Sequence, residues 1–347
     1  MRSFFRRAAE PARRRAPAIV PEIDPDHCLL NADVFAECTL CQDACPHRAI
    51  IQDEDSLGID TGACTGCGLC QPACPQGAVS AMPALPKDGR RVLAVCNEAA
   101  MPGRATLPCI HAIDLAALAR WHAGGTRAVE IHTGECDGCP YGRFARFEAT
   151  LRLFNRMMES RGLPVLRADH PDSVSSSWQG RSAGDEPDRQ RRRLLLGLAG
   201  QDARASGTRR EALTALLAGC GREEGAAPLW NAIPAIDPGT CVGCDMCVRV
   251  CMDGAVALER GGDGTLAYHV RPEACTGCGL CATHCDTGAM TILRHETGTT
   301  SRIALEMFTC AACGADFHQP CTHASNSRLC PTCRKTRHHS KLFQVMP

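Results

Sequence analysis

The sequence predicts an α+β protein. Two copies of a small cysteine-rich module flank an α/β domain with a parallel sheet, and a pair of cysteine knuckles closes the C-terminal end. Three observations carry that expectation. The 26 cysteines of the 347-residue chain fall into blocks instead of scattering. The octapeptide Ala63-Cys64-Thr65-Gly66-Cys67-Gly68-Leu69-Cys70 returns as Ala274-Cys275-Thr276-Gly277-Cys278-Gly279-Leu280-Cys281, so one structural unit is used twice. Between the copies, short apolar strands alternate with helical patterns, as in a parallel sheet with crossover helices.

Cysteine at this density normally means a disulfide framework in a short secreted chain or a protein that binds several metals. The chain is too long for the first. Its longest apolar runs, such as Leu194 to Ala199, fall far short of a signal sequence or of the ~20 residues that cross a membrane. Arg6-Arg7 invites a twin-arginine reading, but Ala-Ala-Glu-Pro-Ala follows where an apolar run should begin. Reduced thiols in a cytoplasmic setting, used as metal ligands, are therefore expected. With 38 basic and 38 acidic residues the chain has no net field that calls for nucleic acid, and none is expected as a partner.

The blocks divide the chain. Residues 1–20 form a basic arm with six arginines and one glutamate, expected to be disordered. Residues 21–86 hold the first dense block, and 90–168 the α/β domain. Residues 169–235 read as a linker with short helices near Arg192–Leu198 and Glu211–Leu217. Residues 236–296 hold the second block, and 305–347 the knuckles and a basic end.

In the second block the spacing is Cys241-x2-Cys244-x2-Cys247-x3-Cys251, then Cys275-x2-Cys278-x2-Cys281-x3-Cys285. In this run a short loop wraps three thiolates around one 4Fe-4S cube, while the fourth cysteine reaches the neighbouring cube. One cluster then takes Cys241, Cys244, Cys247 and Cys285, the other Cys275, Cys278, Cys281 and Cys251. The glycines at 243, 277 and 279 let the loop turn tightly around the sulfurs. The block resembles a bacterial two-cluster ferredoxin over about 55 residues. A pair of zinc sites is the alternative use of such cysteine pairs.

The first block is the same module with a departure. Cys64-x2-Cys67-x2-Cys70-x3-Cys74-Pro75 fits throughout, whereas the upstream motif keeps Cys38-x2-Cys41-x3-Cys45-Pro46 but has Phe35 in place of its first cysteine. Cys28 is the candidate substitute, giving one cluster on Cys28, Cys38, Cys41 and Cys74 and the other on Cys64, Cys67, Cys70 and Cys45. The alternative is a three-iron site with Cys28 an ordinary thiol. Met252 and Asp286 follow the last cysteines of the second block where the first has prolines. A carboxylate at Asp286 is expected to lower the potential of the adjacent cluster.

In the α/β segment, strands are expected over Arg91–Val95 and Thr126–Ile131 and helices over Ala112–Trp121 and Phe144–Ser160. Cys96, Cys109, Cys136 and Cys139 sit at or just after strand ends, where such sheets collect ligands. The arrangement resembles the delta subunit of methyl-viologen-reducing hydrogenase over about 75 residues, and the resemblance implies a 2Fe-2S cluster on these four cysteines as a fifth centre. Zinc, or metal-free buried thiols of a flavodoxin-like domain, are the alternatives. No Gly-x-Gly-x-x-Gly follows a strand, so no nucleotide site is supported.

At the C-terminal end, Cys310-x2-Cys313 and Cys330-x2-Cys333 suit a tetrahedral metal. They resemble a zinc ribbon, with zinc favoured over a rubredoxin-type iron. His318, Cys321 and His323 lie between the knuckles as competing ligands. The basic run Arg334 to Lys341 reads as a solvated tail.

No catalytic triad, paired-carboxylate motif or flavin fingerprint appears. The chain resembles polyferredoxin-type iron-sulfur subunits of multi-subunit redox enzymes, including those that serve molybdopterin oxidoreductases such as formate dehydrogenase. That resemblance implies electron transfer through four 4Fe-4S clusters to or from a partner oxidoreductase, possible partners also including a hydrogenase, with no substrate site in the chain itself. An iron-sulfur sensor or cofactor-assembly factor that docks on a client is the alternative.

Overall fold

A computed structural model describes residues 19–33, 35–53, 56–99, 101, 105–139, 141, 146–175, 178, 210–218, 227–262, 264–322 and 328–336. The basic arm before residue 19, the expected helix at Arg192–Leu198, Cys220, His323 and the basic run beyond Thr336 lie outside them. The fold is mixed α/β, built from several small sheets.

The first copy of the repeated module starts with β1 (Glu22–Ile23) and the one-turn helices α1 (Leu29–Ala32) and α2 (Leu40–Asp43). The hairpin β2 (Ile50–Asp53) and β3 (Ser56–Ile59), helix α3 (Cys70–Ala73) and β4 (Val79–Ser80) follow. β1 pairs antiparallel with β4, Ile23 opposite Val79, and β2 with β3, Ile50 opposite Ile59. Cysteine takes the place of large side chains inside: Cys41 and Cys70 are buried with Ile50 and Val79, and Ile23, Leu57, Cys45 and Cys74 pack around them. The loop through the octapeptide turns on Gly66 (φ 68°) and Gly68 (φ 76°), a left-handed conformation that side chains resist.

The α/β domain runs β5 (Lys87–Asp88), β6 (Arg91–Val95), α4 (Leu115–Ala123), β7 (Ala128–His132), α5 (Phe147–Glu159) and β8 (Arg167–Asp169). The sheet order is β5-β6-β7-β8; β6, β7 and β8 are parallel and β5 is an antiparallel edge. All five residues of β7 are buried, as expected of a strand covered on both faces. Helix α4 starts later than its apolar pattern suggests, because Asp114 caps it by accepting from the Ala117 amide at 2.8 Å. A 3-10 turn, Ile110–Ala112, fills the interval.

Strand β8 and the residues after it extend the domain past residue 168, so the Ser-rich stretch is not a free linker from its first residue. Ser175 and the fully buried Trp178 are bonded to Glu130 on β7. Further on, α6 (Glu211–Ala218) forms where a helix is expected.

Gln71, buried on α3, ties the first module to the α/β domain. Its Oε1 accepts from the amides of Ala81 and Met82 at 2.8 and 2.9 Å, and its Nε2 donates to the Ala112 carbonyl at 3.4 Å. A Cβ on Gly68 would come within 3.0 Å of the Ala112 Cβ, so the two surfaces are in close contact. Gln71→Leu strands the buried Ala81 amide and the half-buried Met82 amide and is expected to destabilise this part of the protein by about 1–3 kcal/mol, read from chemical denaturation.

The second copy repeats the order with β9 (Ala232–Ile236), α7 (Met246–Arg249), the hairpin β10 (Val256–Arg260) and β11 (Leu266–Val270), α8 (Leu280–Thr283) and β12 (Met290–Arg294). β9 pairs with β12, Ile236 opposite Met290, the same closure as in the first copy. The tail then adds β13 (Arg302–Thr309) and β14 (Asp316–Pro320) to this hairpin, in the order β10-β11-β13-β14, before α9 (Pro331–Thr336). The knuckles are therefore joined to the second module through a continuous sheet. Two compact units result: Met1–Asp26, Cys38–Phe154 and Pro164–Leu213 in one, His27–Glu37, Asn155–Leu163 and Thr214–Pro347 in the other. Among the described residues no helix is long and apolar enough to cross a membrane.

Candidate metal centres

The second module brings the cysteines of its two motifs together. Cys241, Cys244, Cys247 and Cys285 line one small cavity with Ile236, Tyr268 and Met290. Burial, and then the charges of Cys241, Cys244 and Cys281, push the Cys247 thiol up to about 12. Cys281 is pushed to about 12 by burial and then by Cys278, Cys251 and Cys275. The neighbours of Cys281 thus include the cysteine from the other motif, Cys251, whose sulfur accepts from the Ala255 amide at 3.1 Å. Burial and neighbouring thiolates disfavour ionisation of Cys247 and Cys281 unless a cation is present, and a cluster's irons would meet that need. The residues fit 4Fe-4S groups.

In the first module burial, with Cys67, Cys41 and Cys45 adding, pushes Cys70 up to about 12, and burial raises Cys67, with Cys45 and Cys64 among its neighbours. Cys41, Cys45, Cys64, Cys67 and Cys70 therefore share one neighbourhood. Cys28 is buried at the N-cap of α1. The same segment contacts the second module: the Asp33 carboxylate bonds His284 Nε2, and Phe35 meets the His284 ring edge-on at 6.3 Å. Phe35, standing where a cysteine is missing, makes a ring contact at the surface.

The middle cysteines converge. Cys96, Cys109, Cys136 and Cys139 line one cavity with Glu98, His111 and Tyr141. Burial, with Cys96, Cys67 and Cys139 nearby, pushes Cys109 up to about 12. Cys109 packs against Cys67 and Leu69 of the first module, and Tyr141 Oη lies 3.2 Å from Thr65 Oγ1. His111 is a residue that spacing rules do not single out. Its Nδ1 accepts from the amides of Arg146 and Phe147 at 3.4 and 3.3 Å, which leaves its proton on Nε2. That Nε2 is buried and has no hydrogen-bond partner among the described residues.

In the tail, the sulfurs of Cys310, Cys313, Cys330 and Cys333 all lie within 4.8 Å of one another, the one such set among the described residues. Cys313 and Cys330 are 3.9 Å apart. Tetrahedral zinc at 2.3 Å from each sulfur places the sulfurs about 3.8 Å apart, so the set fits a single metal ion. The Cys330 amide, 3.3 Å from the Cys310 sulfur, holds that thiol down at about 6.

Two of the competing ligands, His318 and Cys321, are placed elsewhere. His318 Nε2 bonds Asp245 at 2.8 Å, and Cys321 is exposed and lies outside the sulfur set. Asp286 is not a bare charge beside its cluster either, because the Lys335 ammonium pairs with it.

Comparison with known families places two matches on this geometry. Residues 240–289 match the 4Fe-4S dicluster domain, covering all eight cysteines of the second block, and residues 57–80 match the 4Fe-4S binding domain, covering Cys64 to Cys74. No curated protein sequence matches the chain. Ferredoxin-type domains with cysteine-lined sites define an iron-sulfur, metal-binding protein with an electron-transfer role. The upstream half of the first block, where Phe35 replaces cysteine, falls outside both matches.

Proposed function

We propose that the protein is an electron-transfer subunit that carries four 4Fe-4S clusters and passes electrons to or from a partner oxidoreductase. Crossed ligation in the second module carries this reading: Cys251 neighbours the Cys275 motif, and Cys285 lines a cavity with the Cys241 motif. Such crossing holds two clusters in one small fold. The clusters supply one-electron chemistry, while the chain holds them on thiolates, aims backbone amides at the sulfurs and shields them with Ile50, Val79, Tyr268 and Met290. The first module takes a cluster on Cys64, Cys67, Cys70 and Cys45, and one on Cys28, Cys38, Cys41 and Cys74, the last set resting on chain order.

The middle cysteines hold a fifth centre, a 2Fe-2S cluster. Their sulfurs are not gathered as tightly as those of the tail, which suits two metal ions better than one. The contact of Cys109 with Cys67 makes this centre the neighbour of the Cys64 cluster, and the Nε2–H of His111 is the available donor to its sulfurs. The tail holds structural zinc. A multi-subunit oxidoreductase, such as a hydrogenase or a molybdopterin enzyme, is the partner this arrangement serves.

Iron, sulfide and zinc analysis of anaerobically purified protein tests the inventory. About eighteen irons and one zinc per chain are expected; about sixteen irons would remove the middle centre, and about eight or fewer would sink the four-cluster reading.

A further inference from the structure

The tail reaches both ligand segments of one cluster. Strand β14 lies over the Cys241 loop so closely that a Cβ on Gly243 would stand 2.0 Å from the His318 carbonyl oxygen. From the same residue, His318 Nε2 bonds Asp245 Oδ1 at 2.8 Å, and Tyr268 Oη donates to that oxygen at 2.6 Å. Asp245 sits between Cys244 and Cys247 with φ 62°, where the octapeptide copies have Gly68 and Gly279. Side chains resist this left-handed region, and here two side-chain partners hold the residue in it. On the other side of the site, Lys335 of α9 pairs with Asp286, which directly follows Cys285, and the Lys335 charge is close enough to Cys244 to be felt there. Lys335 itself is two residues from Cys333, so the tail metal positions it.

We propose that the C-terminal four-cysteine unit is a metal-held cover for a single cluster, the one on Cys241, Cys244, Cys247 and Cys285, and that it sets the potential and the oxygen resistance of that cluster alone. This rests on the iron-sulfur reading of the second module. The positive charge of Lys335 acts beside Cys285, and the half-buried Tyr268–Asp245–His318 network acts on the Cys241 loop. Cluster potentials respond to nearby charge, to hydrogen bonding and to solvent access, and the cover alters all three. Lys335, Asp245 and His318 are positioning residues in this scheme.

The test uses anaerobically purified full-length protein, with cluster midpoints followed by EPR during redox titration. The covered cluster is assigned by the signal that disappears in Cys285→Ser. Lys335→Glu, a change at an exposed site, is expected to move that midpoint to lower potential and leave the others in place, while Lys335→Arg restores it. Cys313→Ser, which opens the tail metal site, is expected to speed loss of that cluster in air severalfold, with about four irons released ahead of the rest. Unmoved midpoints in Lys335→Glu, or loss of all clusters at one rate in Cys313→Ser, would overturn the proposal. Failure of the underlying iron-sulfur reading shows separately, as a wild-type protein with no reducible clusters.

Discussion

Replacing Cys251 with serine is expected to remove the cluster held by Cys275, Cys278 and Cys281, lowering iron by about four per chain, and to leave the cluster of its own motif intact. The reason is the crossed ligation proposed above, which rests on Cys251 as a charge neighbour of Cys281 and on the cavity that Cys285 shares with Cys241, Cys244 and Cys247. Double variants make the outcome decisive. Combining Cys251→Ser with Cys275→Ser should cost no further iron, because both act at one site, whereas combining it with Cys241→Ser should empty both. The opposite pattern in iron content and EPR would show that each motif ligates its own cluster.

Glu130→Ala should be the most destabilising change in the α/β domain, by about 3–5 kcal/mol in denaturant unfolding. The Glu130 carboxylate is fully buried in the middle of β7. It accepts from the Ser175 amide at 2.9 Å, the Ser175 hydroxyl at 2.6 Å, Trp178 Nε1 at 3.0 Å and Arg91 at 2.9 Å, with His132 Nε2 at 3.0 Å. Alanine removes this acceptor from all five groups, and of these Arg91 keeps Asp169 at 3.7 Å. Burial alone would raise the pKa of this carboxylate, but the Ser175 hydrogen bonds, then His132 and Trp178, outweigh it and hold the group down at about 2. A depressed carboxylate contributes stability that is complete above its unfolded value of 4.5 and is lost as pH falls from there through about 2. Wild-type stability should therefore decline over that interval, and Glu130→Gln should flatten the decline.

The repeat shows how much of the fold is legible without coordinates. Cys64 to Cys74 and Cys241 to Cys285 announce themselves because cluster ligation demands fixed residue types at fixed spacing, and these are the segments that match known iron-sulfur families. β6 is also readable, since a strand covered on both faces is a run of apolar residues. Asp286 has a partner that the sequence does not reveal: a lysine 49 residues away pairs with it, and no spacing rule reaches that far. His318 looks like a spare metal ligand from its place between the knuckles, yet its ring is used by Asp245, a residue 73 positions earlier.

By itself, then, the chain of residues determined the duplicated module and the pairing of the tail cysteines, because metal coordination writes its geometry into short-range spacing. Tertiary structure decided what those sites touch. The anchoring of the Ser-rich segment on Glu130, the seating of Gln71 against the α/β domain and the joining of the tail to the second module all depend on backbone pairing and buried hydrogen bonds between distant segments. Such partners are chosen by packing in three dimensions, and a linear pattern does not encode them.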